Sequence, residues 1–159
     1  MASRRDLITM SDEELHAYVR REKTLIIVSN SPSGFPHPMP MFFYIDDEGR
    51  FLVSTYGVSQ KVVNYQRDNK AALLLESGDE YEELQSVVIE AAAEIIDDND
   101  FVVETMMNIR RQRDPSKVDF ALEEVEGIRQ AGRKRVIIRF TPTKTISWDH
   151  TKLGSMDQL

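Results

Sequence analysis

Apolar and polar positions along this chain follow two periods. Leu15, Tyr18 and Val19 recur at i, i+3 and i+4, with Glu13, His16, Arg20 and Arg21 on the opposite, solvated side. This spacing predicts a helix over about 11–22. Ser11-Asp-Glu-Glu14 marks its start as a capping box, in which serine and glutamate each satisfy the other's backbone N–H. Thr24 to Ser29 is β-branched and apolar almost throughout, the pattern of a strand buried on both faces. After the turn Ser31-Pro-Ser-Gly34, a second strand is expected over 37–45. Pro36, Pro38 and Pro40 crowd its beginning and confine it to an edge or a bulge, because proline donates nothing to a sheet ladder. Asp46-Asp-Glu-Gly49 reads as a hairpin connection to a third strand, Phe51 to Thr55, giving an antiparallel meander.

Further along, 59–67 is expected to be helical with Ser59 as its cap, and 71–76 to be a strand. An acidic loop leads to the long strand 86–96, where Val87, Ile89, Ala91 and Ala93 fall on one face. Residues 98–131 change to helical spacing. Phe101, Val102, Thr105, Met106 and Ile109 form one set; Val118, Leu122, Val125, Ala121 and Ile128 form another, with a break at Pro115. Two further strands, 133–140 and 145–148, are expected to hinge at Thr141-Pro142. Many short strands with few intervening helices predict a mainly β or α+β fold. The sheet is antiparallel and closes into a barrel, with flanking helices and an inserted helical hairpin.

Composition narrows the function. At 159 residues and 41% hydrophobic content the whole chain, 1–159, is expected to be a single domain. Without cysteine there are no disulfides, thiolate metal sites or cysteine nucleophiles. A net charge of -7 argues against non-specific nucleic-acid binding. No leader segment and no membrane-length apolar run is evident, so the expectation is a soluble cytoplasmic protein. His16, His37 and His150 are isolated from one another, which gives no metal-ligand spacing. No Gly-x-Ser-x-Gly elbow is present.

Two stretches carry candidate chemistry. In Phe51-Leu-Val-Ser-Thr-Tyr-Gly-Val-Ser-Gln-Lys61, a strand ends on the hydroxyls of Ser54 and Thr55 and a helix begins near Ser59. Helix N-termini present unsatisfied N–H donors and partial positive charge. Lys61 in that first turn opposes the dipole unless an anion sits between them. Hydroxyls, amides and an ammonium then suit a phosphate monoester. The same spacing also fits a solvated lysine beside an ordinary cap. In His37-Pro-Met-Pro-Met-Phe-Phe43, prolines, methionines and aromatics make an apolar wall, fit for a planar heterocycle or equally for a core strand.

Together these stretches resemble the flavin/deazaflavin split-barrel family related to pyridoxamine 5′-phosphate oxidase. The resemblance is carried by Gly34-Phe-Pro-His-Pro-Met-Pro-Met41, by Ser54-Thr followed by Lys61-x-x-Asn64, and by Tyr81 to Glu90. It ends on Ile146-Ser-Trp-Asp-His-x-Lys152. It implies a homodimer of split β-barrels with cofactor sites at the subunit interface. The cofactor would be FMN or, alternatively, the deazaflavin coenzyme F420. Met39, Pro40, Met41 and Phe42 would line the ring. Ser54, Thr55, Gln60 and Lys61 would hold the phosphate, and Trp148 would approach from either chain. Ser59 stands where many members carry a basic residue, and Asn64-Tyr-Gln-Arg-Asp-Asn69 departs from the common Asn-Leu-Arg-Arg-Asp-Pro run. The implied activity is an oxidoreductase that moves hydride to or from a small organic substrate. The alternative is a dimer that binds flavin or haem without turnover.

Overall fold

The computed structural model describes residues 3–154. After a short helix α1 (Arg4–Ile8), helix α2 (Asp12–Arg21) begins on the expected capping box. Ser11 Oγ accepts from the Glu14 N–H at 3.2 Å, and Glu14 accepts from the Ser11 N–H at 2.7 Å. The strands are β1 (Thr24–Asn30), β2 (Pro36–Phe42), β3 (Tyr44–Ile45), β4 (Phe51–Tyr56), β5 (Lys70–Ser77), β6 (Gln85–Ile96) and β7 (Arg135–Asp149). Helix α3 (Gln60–Arg67) joins β4 to β5, while α4 (Asn99–Arg113) and α5 (Leu122–Gly132) form the hairpin between β6 and β7. Gly34 at φ +84° and Gly49 at φ +75° close the two tight turns where the left-handed backbone favours glycine.

All seven strands belong to one antiparallel sheet in the order β2-β1-β5-β6-β7-β4-β3. Strands β2 and β3 therefore stand at opposite edges, although Phe43 alone separates them in the chain. A flat sheet of this width would hold its edges tens of ångströms apart at ~4.8 Å per strand. The sheet must curl until the edges meet, and the result is a split barrel. This corrects the expected meander: β2 pairs with β1 and β3 with β4, and the expected strand 37–45 is broken at Phe43 so that its two pieces serve opposite edges.

The barrel is filled from inside by Leu25, Ile27, Phe43, Val53, Leu73, Leu75, Val87, Ile138 and Phe140, all essentially inaccessible. A second cluster lies outside the barrel wall. There Leu52 of β4 and Ile137 of β7 pack against Val102, Phe101 and Met106 of α4. Residues on both faces of β7 are thereby buried around Val136 to Ile138. Thr24 to Ser29, expected to be buried on both faces, lies in β1, which buries only alternate side chains.

Two further expectations need correction. Helix α5 starts at Leu122 rather than soon after Pro115, and Val118 (65% exposed) and Leu122 (89%) face solvent instead of the core. Apolar spacing continued across a turn there and mimicked a longer helix. The C-terminal strands are one strand, bent by a bulge at Glu90/Ala91 that leaves Thr143 unpaired with β6. Pro142 sits beside that bulge, where a missing N–H disturbs the ladder least.

Candidate functional site

Strand β2 shows what its prolines do. Backbone groups of successive residues point to opposite sides of a strand, and the ladder with β1 needs N–H donors. The register Ile26↔Pro40 and Val28↔Pro38 therefore turns His37, Met39 and Met41 toward β1 and leaves the prolines on the open edge. That edge offers the carbonyl acceptors of Pro36, Pro38 and Pro40 without competing donors. It cannot template further strand pairing. Its side chains alternate: Met39 and Met41 lean onto the barrel core, and Pro40 and Phe42 face outward.

Where this edge passes β4 and α4 there is a cavity of about 540 Å³. Its lining includes Pro40, Met41, Phe42, Ser54, Met106 and Arg135. A space of this size is in the ordinary range for a small-molecule site. Ser54 Oγ is buried in its wall with no hydrogen-bond partner, as is the Nε of Arg135. The Arg135 guanidinium also lies 4.4 Å over the Tyr56 ring and reaches the Ser54 carbonyl oxygen at 3.5 Å. Orphaned buried polar atoms of this kind are costly, and a ligand that bonds them recovers that cost.

From Ser54 the chain runs into the N-terminus of α3. Thr55 is buried, its hydroxyl 3.4 Å from that of Ser59. Ser59 occupies the cap position but its side chain caps nothing, contrary to expectation. The first helical amides, of Gln60 and Lys61, donate to no described residue. The Gln60 side chain is turned away, donating to Asn64 Oδ1 at 2.9 Å, while Asn64 donates to Ser29 Oγ at 2.9 Å from a fully buried position. Asn64→Ala is expected to remove about 1–3 kcal/mol of stability by stranding Ser29 and Gln60. Chemical denaturation checks this.

Lys61 is the anomaly. It is only 9% exposed and has no hydrogen bond or ion pair with any described residue. Burial, with a smaller contribution from the Arg135 charge, pushes its pKa below the usual lysine range. A buried, unpaired cation at open helix amides, with a second cation acting on it, has the chemistry to take an anion.

The structure thus gathers Pro40, Met41, Phe42 and Ser54 in one cavity, whereas Thr55, Ser59, Gln60 and Lys61, which follow Ser54 into the start of α3, are not among its lining residues. Met39 is not among the lining residues. Trp148 stands at the far end of β7, roughly 35 Å along the strand from Ile137, the register partner of Ser54. Sequence reasoning missed Arg135 and the α4 residues of the cavity. The position of Arg135 follows from its pairing with Tyr56, a long-range register that no local pattern carries. The α4 face was legible as the i, i+3, i+4, i+7 set Met106, Ile109, Arg110 and Arg113.

A curled antiparallel half-barrel with flanking helices defines the class of split-barrel proteins. The chain belongs to the pyridoxamine 5'-phosphate oxidase family, whose model matches residues 11–149. Among solved structures it is similar to the conserved hypothetical protein Rv2991 of Mycobacterium tuberculosis. The two share 31% identity over 96% of this chain and 93% of that one, with a TM-score of 0.85. It shares its fold with an F420 reductase at 19% identity, 82% and 94% coverage and a TM-score of 0.63. HutZ, the haem storage protein of Vibrio cholerae, has the same fold at 14% identity, 88% and 98% coverage and a TM-score of 0.64. No curated protein matches the chain in sequence. Among the described residues no helix is long and apolar enough to cross a membrane.

Proposed function

We propose that this protein is an FMN-dependent oxidoreductase acting on a small organic molecule. The observation that carries the reading is the buried, unpaired Lys61 at the open N-terminus of α3, where it also feels the Arg135 charge. Lys61, the Gln60 and Lys61 amides, Ser54 and Thr55 would hold the phosphate, with Arg135 as a second cation. The ring would rest on Pro40, Met41 and Phe42, its N–H edge toward the carbonyls of β2. FMN in such a site supplies hydride transfer, and the protein contributes anchoring, orientation and exclusion of water. A monoester carries about -1.5 to -2 at pH 7. Two cations match that charge better than the single charge of the diester in F420, which favours FMN. Titration of cofactor-free protein with each tests the choice: FMN is expected to bind more tightly, and tighter F420 binding would reverse it.

The outer face of the sheet supports the homodimer. Pro40, Ile26, Leu74, Val88 and Ile146 stand opposite one another across five strands, an unbroken apolar row. All five are partly or fully exposed in the single chain, and the outward-facing Trp148 extends the patch. A row of this kind suits a two-fold contact with a second copy. Ile26→Lys is expected to yield a monomer by sedimentation and to weaken FMN binding with it. A variant that stays dimeric would remove this face from the assembly.

A second reading, a dimer that keeps a flavin without turnover, is favoured by the cavity lining, which includes no carboxylate or histidine to move a proton. Sustained oxidation of a nicotinamide donor in the presence of FMN and an acceptor decides for the enzyme. Stoichiometric reduction that then stops decides for the carrier.

A further inference from the structure

Outside the cavity, four arginines are committed to carboxylates: Arg21 to Glu22, Arg50 to Asp46, Arg129 to Asp100 and Arg139 to Glu94. Arg110 and Arg113 are not. Neither side chain occurs in an ion pair or hydrogen bond among the described residues, and both line the cavity beside Met106 and Ile109 on one face of α4. Basic residues in a last helical turn often complement the helix dipole. Arg110, Arg111 and Arg113 all lie in that turn, but only Arg111 has side-chain hydrogen bonds among the described residues. Its Nε donates to the Val118 carbonyl at 3.1 Å, its Nη1 donates to Asn108 at 3.0 Å, and Phe120 stacks beneath it. Glu124, whose carboxylate feels the Arg110 charge, is already paired with Lys117 at 2.8 Å. The Arg113 guanidinium carbon lies over Phe42, 3.5 Å from the ring centroid. Stacking fixes the guanidinium plane and leaves its N–H edge free for a bidentate partner.

We propose that Arg110 and Arg113 form a recognition site for the carboxylate of an aromatic or aliphatic acid, which is the substrate class of this protein. The acid's apolar body would lie against Phe42, Met106 and Ile109, and its charge on the two guanidinium groups. This subsite is supplied by the inserted hairpin and is separate from the Lys61 corner, so a bound cofactor phosphate leaves it available. The proposal rests on the cavity being the ligand site, but not on which cofactor occupies it. In a chain of net charge -7, cations left unpaired in one concavity steer anions there.

The test uses the double variant R110Q/R113Q, whose two positions are exposed, with 1-naphthoate and the neutral 1-naphthamide as probes. Each is titrated by calorimetry into the full chain, with and without FMN. The wild-type protein is expected to prefer the acid to the amide at least 10-fold, and the double variant to bring that ratio close to one. FMN affinity should change less than threefold. Equal binding of acid and amide by the wild-type protein, or no measurable naphthoate binding, would overturn the proposal. So would a preference that survives the double substitution, or a loss of FMN affinity larger than that of naphthoate. Failure of FMN itself to bind removes the flavin reading alone, since the naphthoate ratio in cofactor-free protein still decides this one.

Discussion

Replacing Lys61 by methionine is expected to loosen FMN by about 10–100-fold while leaving the cofactor-free fold equally stable or more so. The affinity loss corresponds to about 1.5–3 kcal/mol, the scale of a hydrogen bond to a charged group. The stability change has the opposite sign because the ammonium is buried and unpaired in the empty site, and methionine fills similar space without a charge to desolvate. A structural lysine would behave otherwise, losing stability with no selective effect on FMN. The pH dependence follows from the lowered pKa. Between that value and the ordinary lysine value near 10.4, the unfolded chain holds a proton that the folded chain has released. Stability of the cofactor-free protein therefore rises with pH through this window, while FMN affinity falls as the ammonium is lost. Both slopes should disappear in the methionine variant, read by denaturation and by titration at a series of alkaline pH values.

Phe43→Ala is expected to cost about 3–5 kcal/mol in global stability, the largest effect of any single truncation considered. Phe43 is fully buried, its ring 5.8 Å from that of Phe51, and it is the residue that carries the chain from one edge of the sheet to the other. Its removal opens a cavity beside the closure of the barrel and loosens β2, on which the proposed ring contacts stand. FMN affinity should fall along with the unfolding midpoint. Urea denaturation of the cofactor-free protein measures the first effect independently of the second.

Local chemistry was legible in the sequence wherever a few neighbouring residues set the outcome. The capping box at Ser11 and Glu14, the inward face Val87, Ile89, Ala91 and Ala93, and the confinement of Pro36, Pro38 and Pro40 to an edge all appear as read. The position of Lys61 in the first turn of α3 was legible too, but its burial was not, because burial comes from distant strands. What the sequence hid was pairing at long range. The transfer of β3 to the opposite edge, the union of the last two strands across the bulge and the meeting of Arg135 with Tyr56 depend on register across the barrel. Val118 and Leu122 misled for a different reason, since apolar spacing marks a face without saying whether anything covers it.

The crystal structure of the protein soaked with FMN tests the central claim most directly. The account predicts phosphate oxygens within hydrogen-bond distance of Lys61 Nζ and of the first amides of α3, with Ser54 Oγ turned onto the phosphate and the ring against Pro40 and Met41. A phosphate bound away from α3, or density for FMN nowhere along the edge of β2, would contradict it.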